Sequence, residues 1–477
     1  MFDLGLWDEN GYRSASGFRG WSGSRHKSVI LEACRATRCY RAGPINAGVW
    51  YAELGLAAVA PTGAEWTVSV RARRVPRTKP RQFDPVDPKY VANAERRWYH
   101  GDFHMHSWHS NSRGPTRERF MEYALQAKLD FLPVTEYVVG VHWNEYGRIQ
   151  QQFPDVLIWP GREIVTYFGH MQCIGETPGF IEYRHGFEDV RVADIQRAVR
   201  DAGALFQVNH PTTFGGPLFR AVCRGCAFEL GDEIDWKDVD TIEVLNGTAV
   251  VRRRLFLRQH YVEFENPFLT SAIEFWEDLL NAGYRVTAVC GSDFKKGKGL
   301  GSCATAVLAD ELSRAELTGA IRAGRAYVRT RGVLASPELD MTAVAPGGET
   351  GTFGSQLVVA SDATVLVTVS VRGGAGQSLR IIRNGNQVGS LKISDDDFRH
   401  AFAATRVADE GLLGTWYRVE TFDDISRTTI GNPIFLGDSR PAAPGPRAPN
   451  PRRKARMRRN IAAARALPSL PQGLAGR

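Results

Sequence analysis

The sequence predicts an α/β protein whose centre is a parallel sheet, open or closed into a barrel, set between two β-rich regions. Three observations predict it. Between residues 96 and 335, short apolar runs alternate with helix-like segments. On either side of that stretch, short runs are separated by Gly, Pro and Asn with no helical pattern between them. Finally, His, Glu and Asp recur just after successive central runs, the end of the strands at which α/β barrels carry their functional residues.

Residues 1–78 read as a β-rich N-terminal domain. The runs Lys27–Leu31, Gly48–Ala52 and Trp66–Ala72 are its expected strands, the last alternating apolar and polar side chains as a half-buried strand does. Its aromatics (Phe18, Trp21, Tyr40, Trp50, Tyr51, Trp66) are read as packing, because aromatic side chains favour strands, rather than as a sugar-binding surface. Residues 79–95, with Lys79-Pro-Arg and Asp84-Pro-Val-Asp-Pro, form a Pro-punctuated linker.

Residues 96–335 are the catalytic candidate. Expected strands are Phe131–Val134, Val156–Trp159, Ala204–Val208, Thr241–Leu245 and Val286–Val289. Expected helices are Arg117–Lys128, Val190–Ala202, Pro267–Ala282 and Arg314–Ala323. Short buried strands alternating with amphipathic helices argue for parallel pairing. Residues 336–437 turn β-rich again, with Gln356–Ala360, Val365–Val371, Leu379–Arg383 and Trp416–Glu420 spaced by turns, and suggest a small sandwich.

Residues 438–477 form a Pro- and Arg-rich tail expected to be disordered. It accounts for the charge balance. The chain of 477 residues carries a formal net charge of +8, but Ser439–Arg477 alone contributes +10, which leaves the rest near −2. Basic character therefore belongs to the tail, and contact with nucleic acid is expected to be non-specific and confined to it. No apolar stretch reaches the length of about 18 residues that spans a bilayer, so no membrane partner is expected. The N-terminal stretch lacks the basic and apolar regions of a secretory signal. The 7 cysteines have no framework spacing. Cys223-x-x-Cys226 has no second pair to complete a zinc site, and is read as two free thiols. A reducing, cytoplasmic setting fits these features.

The ligand-type residues then fall into order. His104 and His106, two apart on an extended segment, project from one face and can converge on one cation. Glu136 follows the run at 131, Glu163 the run at 156 with His170 soon after, His210 the run at 204, Asn246 the run at 241 and Asp293 the run at 286. Each alone has an ordinary reading as a cap, a turn residue or a surface carboxylate. Their recurrence at one end of successive strands is what points to a metal centre. Imidazole and carboxylate together suit Zn, Mn or Fe. Two such ions would polarise an ester or phosphoryl oxygen and acidify a shared water.

Gly101-Asp-Phe-His-x-His106, Thr135-Glu-Tyr, Gly161-Arg-Glu with Gly169-His, Asn209-His-Pro, Glu243-Val-Leu-Asn-Gly and Gly291-Ser-Asp, in this order, resemble the PHP (polymerase and histidinol phosphatase) superfamily. The β-rich flanks and Phe168-Gly-His are similar to its carbaryl-hydrolase-like (CehA/McbA) branch. The resemblance implies a distorted (β/α)7 barrel with up to three metal ions. It implies that His104, His106, Glu163 and Asp293 hold one ion, and that Glu163 bridges to a second held with His170 and His210.

The chain departs from the family where the third ion would sit. Tyr137 and Lys295 stand where the family has histidines, which leaves His109 without its companions. An ammonium offers no lone pair and repels a cation. Two divalent ions per chain are therefore expected. Lys295 is expected to hold an anionic substrate group, Tyr137 to donate to a leaving-group oxygen, and Lys296 and Lys298 to be solvated.

The resulting expectation is a metal-dependent hydrolase of a small-molecule ester. The ester is a phosphoester, or a carbamate or carboxylic ester, attacked by metal-activated hydroxide. The competing reading is a decayed barrel that serves as a binding or regulatory protein.

Overall fold

The structure is a computed structural model. It describes residues 2–57, 59–60, 62–74, 79, 83–109, 114–175, 180–186, 190–213, 219, 223–254, 261–297, 299–361, 363–407 and 414–437. The expected tail, 438–477, and Lys298 lie outside the described residues.

The chain opens with an antiparallel sheet of β1 (Phe2–Trp7), β2 (Phe18–Trp21) and β3 (Tyr51–Leu56), with β1 in the middle. In β1 the alternation buries Asp3, Gly5 and Trp7 on one face. Two expected strands are corrected here. Lys27–Leu31 makes only an isolated bridge, Leu31 with Ala36. Trp66–Ala72 has no sheet partner among the described residues, and Val70 is 87% exposed. Alternation describes a surface that could pair, but a strand forms only where another edge is free to meet it.

The central sheet contains β4 (Arg97–Gly101), β5 (Phe131–Tyr137), β6 (Leu157–Val165), β7 (His170–Ile174), β8 (Leu205–Val208) and β9 (Thr241–Asn246). A separate hairpin, β10 (Val250–Arg254) with β11 (Tyr261–Glu265), precedes β12 (Thr287–Gly291), which pairs with β9. Two further strands, β13 (Ala304–Ala309) and β14 (Ala326–Arg329), continue the sheet beyond β4. Among the described residues the α-helices are α1 (Arg117–Gln126), α2 (Tyr146–Gln152), α3 (Val192–Asp201), α4 (Pro267–Asn281) and α5 (Arg314–Arg322). They start where sequence chemistry starts them. Thr116, Asn266 and Ser313 each cap a first turn with a side-chain oxygen, and Pro267 occupies a position where no amide is needed.

The sheet is mixed rather than parallel, which corrects the expectation. Pairing is parallel for β4–β5–β6 and for β8–β9–β12, but β7 runs antiparallel to both β6 and β8. The reason is chain length. Only Thr166, Tyr167, Phe168 and Gly169 separate β6 from β7, whereas a parallel return needs about a dozen residues or more. The row of strands meets itself at Met105, which bridges Val134 within β5 and Phe294 beyond β12, both in parallel sense. Phe103 and Met105 are buried in two different apolar clusters, so the alternating His104 and His106 are turned to the other side of the segment.

After β14 come β15 (Glu338–Val344), β16 (Thr350–Gly351), β17 (Gln356–Val358), β18 (Thr364–Arg372) and β19 (Ser378–Arg383). They are followed by β20 (Asn386–Lys392), β21 (Asp397–Thr405), β22 (Thr415–Phe422), β23 (Arg427–Gly431) and β24 (Ile434–Gly437). β16-β15-β18-β21 form one sheet, and its inward side chains Met341, Val365 and Val367 pack on Leu379, Val419 and Ile434 of the other. That other sheet joins the central one through β14–β23.

Candidate metal centre

The site is assembled at the ends of β4, β5, β6, β8, β9 and β12 and the start of β7. Asp102, fully buried, anchors the segment that leads into the histidine pair. Its Oδ1 accepts from the amides of Ser292 at 2.9 Å and His104 at 3.2 Å, and its Oδ2 from Gly301 at 3.0 Å. Burial nonetheless pushes its pKa up to about 6 against those amide donors. Gly291 is demanded by this geometry, since a Cβ there would stand 2.1 Å from the His104 Cβ.

His104 places its Nδ1 3.2 Å from Glu243 Oε1 and 3.3 Å from Oε2. A carboxylate can only accept, so Nδ1 carries the proton and Nε2 turns to the site. There Nε2 stands 3.4 Å from both Glu163 Oε1 and Asp293 Oδ1 without making a hydrogen bond. His106 Nε2 lies 3.1 Å from Asp293 Oδ1 and 3.5 Å from Glu163 Oε2. His170 repeats the logic of His104. Its Nε2 meets the Arg224 carbonyl at 2.6 Å and must donate, leaving Nδ1 3.0 Å from Glu163 Oε1. His210 completes the ring with Nε2 3.9 Å from Glu163 Oε1, while its amide donates to Glu243 Oε2 at 2.7 Å.

Two of these residues hold left-handed backbone, His210 at φ 25° and Asp293 at φ 49°. That conformation is unfavourable for residues with a Cβ and recurs at functional sites.

The electrostatics describe a place for cations. Burial opposes a charge on His104, yet Glu243, Asp293 and Glu163 more than offset it and hold its pKa well above the ordinary value. Burial would raise Glu163, but His104 and His170 hold it well below the carboxylate range. Asp293 is held far below that range, against burial, by Lys295 and by His104 and His106. Lone pairs on imidazoles that face carboxylate oxygens are stable only with a proton or a cation between them. A buried His104 Nε2 and a buried Glu163 Oε2, neither hydrogen-bonded, are the positions such a cation would satisfy. Among the described residues, three sets of ligand atoms lie close enough to hold an ion: His104, His106 and Asp293; Glu163, His170 and His210; and His104, His210 and Glu243.

All six residues expected as metal ligands (His104, His106, Glu163, His170, His210 and Asp293) are thus brought together. Tyr137 stacks on the His106 ring at 4.1 Å, and burial raises its phenol well above its usual pKa. The Lys295 ammonium sits 2.7 Å from Asp293 Oδ2. His109 belongs to none of the three sets; its ring lies 3.8 Å from Glu145 and 5.8 Å from His142. Lys296 is exposed. The expectation of two free thiols is corrected, because Cys223 and Cys226 form a disulfide. They face each other across a tight turn, with Gly225 between them at φ 72°.

Sequence reasoning did not single out Glu243 or Asp102 as site residues, and placed Glu136 among the ligand-type residues without a role. Glu136 accepts from the Ser107 amide at 2.7 Å and so supports the segment carrying the histidine pair. Glu243 had a usable signal, a carboxylate within an otherwise apolar strand, where a charge needs a partner.

No protein-family model matches the sequence, and no curated protein matches it. Among solved structures, the chain is similar to a two-domain protein from Bacteroides vulgatus described as containing a predicted PHP-like metal-dependent phosphoesterase. The match has 16% identity and a TM-score of 0.37, and covers 75% of this chain and 99% of that one. A likeness of that size identifies neither a family nor an activity.

Proposed function

We propose that the chain is a metal-dependent hydrolase with a binuclear centre in a PHP-type barrel. One observation carries the reading. The Glu163 carboxylate faces both ligand sets, Oε1 toward His170, His210 and His104 and Oε2 toward His106. In this reading His104, His106, Asp293 and Glu163 hold one divalent ion, and Glu163, His170 and His210 hold the other. Divalent ions there would supply Lewis acidity and a water acidified toward neutral pH.

The chain's own groups do the rest. Glu243 fixes the His104 tautomer, and the Arg224 carbonyl fixes that of His170. The Lys295 ammonium holds Asp293 in place, and its side chain remains 39% exposed, which leaves it able to draw an anionic ester. Tyr137, kept protonated by burial, can donate a hydrogen bond to a departing oxygen.

A panel of chromogenic phosphomonoesters, phosphodiesters, aryl esters and carbamates tests the reading, run with Mn and with Zn and with His104→Ala as the blank. Metal-dependent turnover of one class, absent from the blank, is expected. Binding of metal with no turnover of any class would favour the decayed-barrel reading instead.

A further inference from the structure

Asp3 lies on β1, a hundred positions before the first metal-type residue, yet it is only 1% exposed. A carboxylate so buried requires partners. It has two. Its Oδ1 accepts from the Arg224 guanidinium, and its Oδ2 from the Tyr167 hydroxyl at 3.0 Å.

Both partners are attached to His170. Tyr167 belongs to the short turn between β6 and β7 that delivers His170. Arg224 supplies the carbonyl to which His170 Nε2 donates. One carboxylate of the N-terminal sheet therefore grips the chain on both sides of a single site histidine.

The surroundings are shaped to permit this grip. Gly55 faces Asp3 across the β1–β3 ladder, and a Cβ there would stand 2.6 Å from the Tyr167 hydroxyl. Gly225 lets the Arg224 loop lie against the turn, since a Cβ there would meet the Thr166 carbonyl at 2.0 Å and His170 Nε2 at 3.1 Å. Ser24 accepts from the same guanidinium at 3.3 Å, and the Cys223–Cys226 disulfide closes the loop on either side of Arg224.

We propose that Asp3 is a positioning residue for the second ion, so that the N-terminal sheet is a working part of the metal centre and not an appended module. The proposal rests on the hydrolase reading above. Asp3 touches no ligand atom. It acts by holding the Arg224 carbonyl and the Tyr167 turn, which together set the ring plane and tautomer of His170. Partners of metal-bound imidazoles typically contribute about 10- to 100-fold to metal affinity.

The test is metal titration of the full chain after chelation, with Mn or Zn as probe and His170→Ala as the reference for a lost second site. Wild type takes up two equivalents. Asp3→Asn takes up the first as wild type does, and binds the second about 10- to 100-fold more weakly. Arg224→Met shows the same loss, and the double variant is no worse than either single one, because both act through one contact. Tyr167→Phe removes only a hydroxyl and shifts the second site in the same direction, which keeps the test open if Asp3→Asn folds poorly. A metal-free Tm measured in parallel reports seam damage alone. Variants that lower that Tm yet bind both equivalents as wild type does overturn the proposal by itself. A wild-type chain that binds no metal overturns the hydrolase reading and this proposal with it.

Discussion

At the scale of single residues, the centre depends on which nitrogen of each imidazole faces inward. Glu243 decides this for His104, reaching it from 139 residues away in sequence. Glu243→Gln keeps the shape but can present an amide N–H where a carboxylate accepted, so the tautomer is no longer fixed. We expect metal affinity to fall about 10- to 100-fold, read by competition with a chromogenic chelator. The six proposed ligands could be picked out because they are metal-type side chains that follow apolar runs. The part played by Glu243 was not legible, nor was the contact of Glu136 with the Ser107 amide, because those roles lie in what the side chains touch. A carboxylate inside a strand says only that some partner exists. The tyrosine and lysine substitutions were also legible as departures, but not the consequence that Lys295 would pair with Asp293 itself.

At the scale of elements, the strand ends matter more than the strand interiors. β12 must stop in glycine, because a Gly291 Cβ would stand 2.1 Å from the His104 Cβ and 2.6 Å from Glu243 Oε1. Gly291→Ala is expected to displace His104 and to lower both metal affinity and Tm. A circular dichroism melt with a parallel metal titration reads the two together. Sequence periodicity located α1, α3, α4 and α5 to within a turn, because caps and amphipathic faces are local properties. It failed at Trp66–Ala72, where pairing depends on a remote edge. It also missed the antiparallel sense of β7, although the shortness of Thr166–Gly169 carried that information.

At the scale of the whole molecule, ion pairs bind the C-terminal strands to the central unit. Arg418, on β22, donates to Glu420 at 2.7 Å and to Glu277 of α4 at 2.6 Å, and Arg427 donates to Glu420 at 3.1 Å. Burial opposes ionisation of Glu420, but Arg418 and Arg427 hold its pKa below the ordinary value of 4.5. A depressed carboxylate contributes stability that is present above its unfolded pKa and is lost as pH falls through the folded one. Glu420→Gln leaves Arg418 buried without that charge. It should cost about 3–5 kcal/mol near neutral pH and flatten the fall in stability below about pH 4.5. Urea unfolding at several pH values measures both effects. None of these pairings was legible in the sequence, nor was the β14–β23 ladder that joins the C-terminal strands to the central sheet.

The central claim is that one carboxylate, Glu163, is shared by two ions. Metal content of the full chain and of Glu163→Ala, each stripped and then titrated with Mn or Zn, tests it most directly. The account predicts two equivalents for the wild type and weakened binding at both sites for the variant. A wild type that takes up no metal, or a variant that still binds two ions with unchanged affinity, would contradict it.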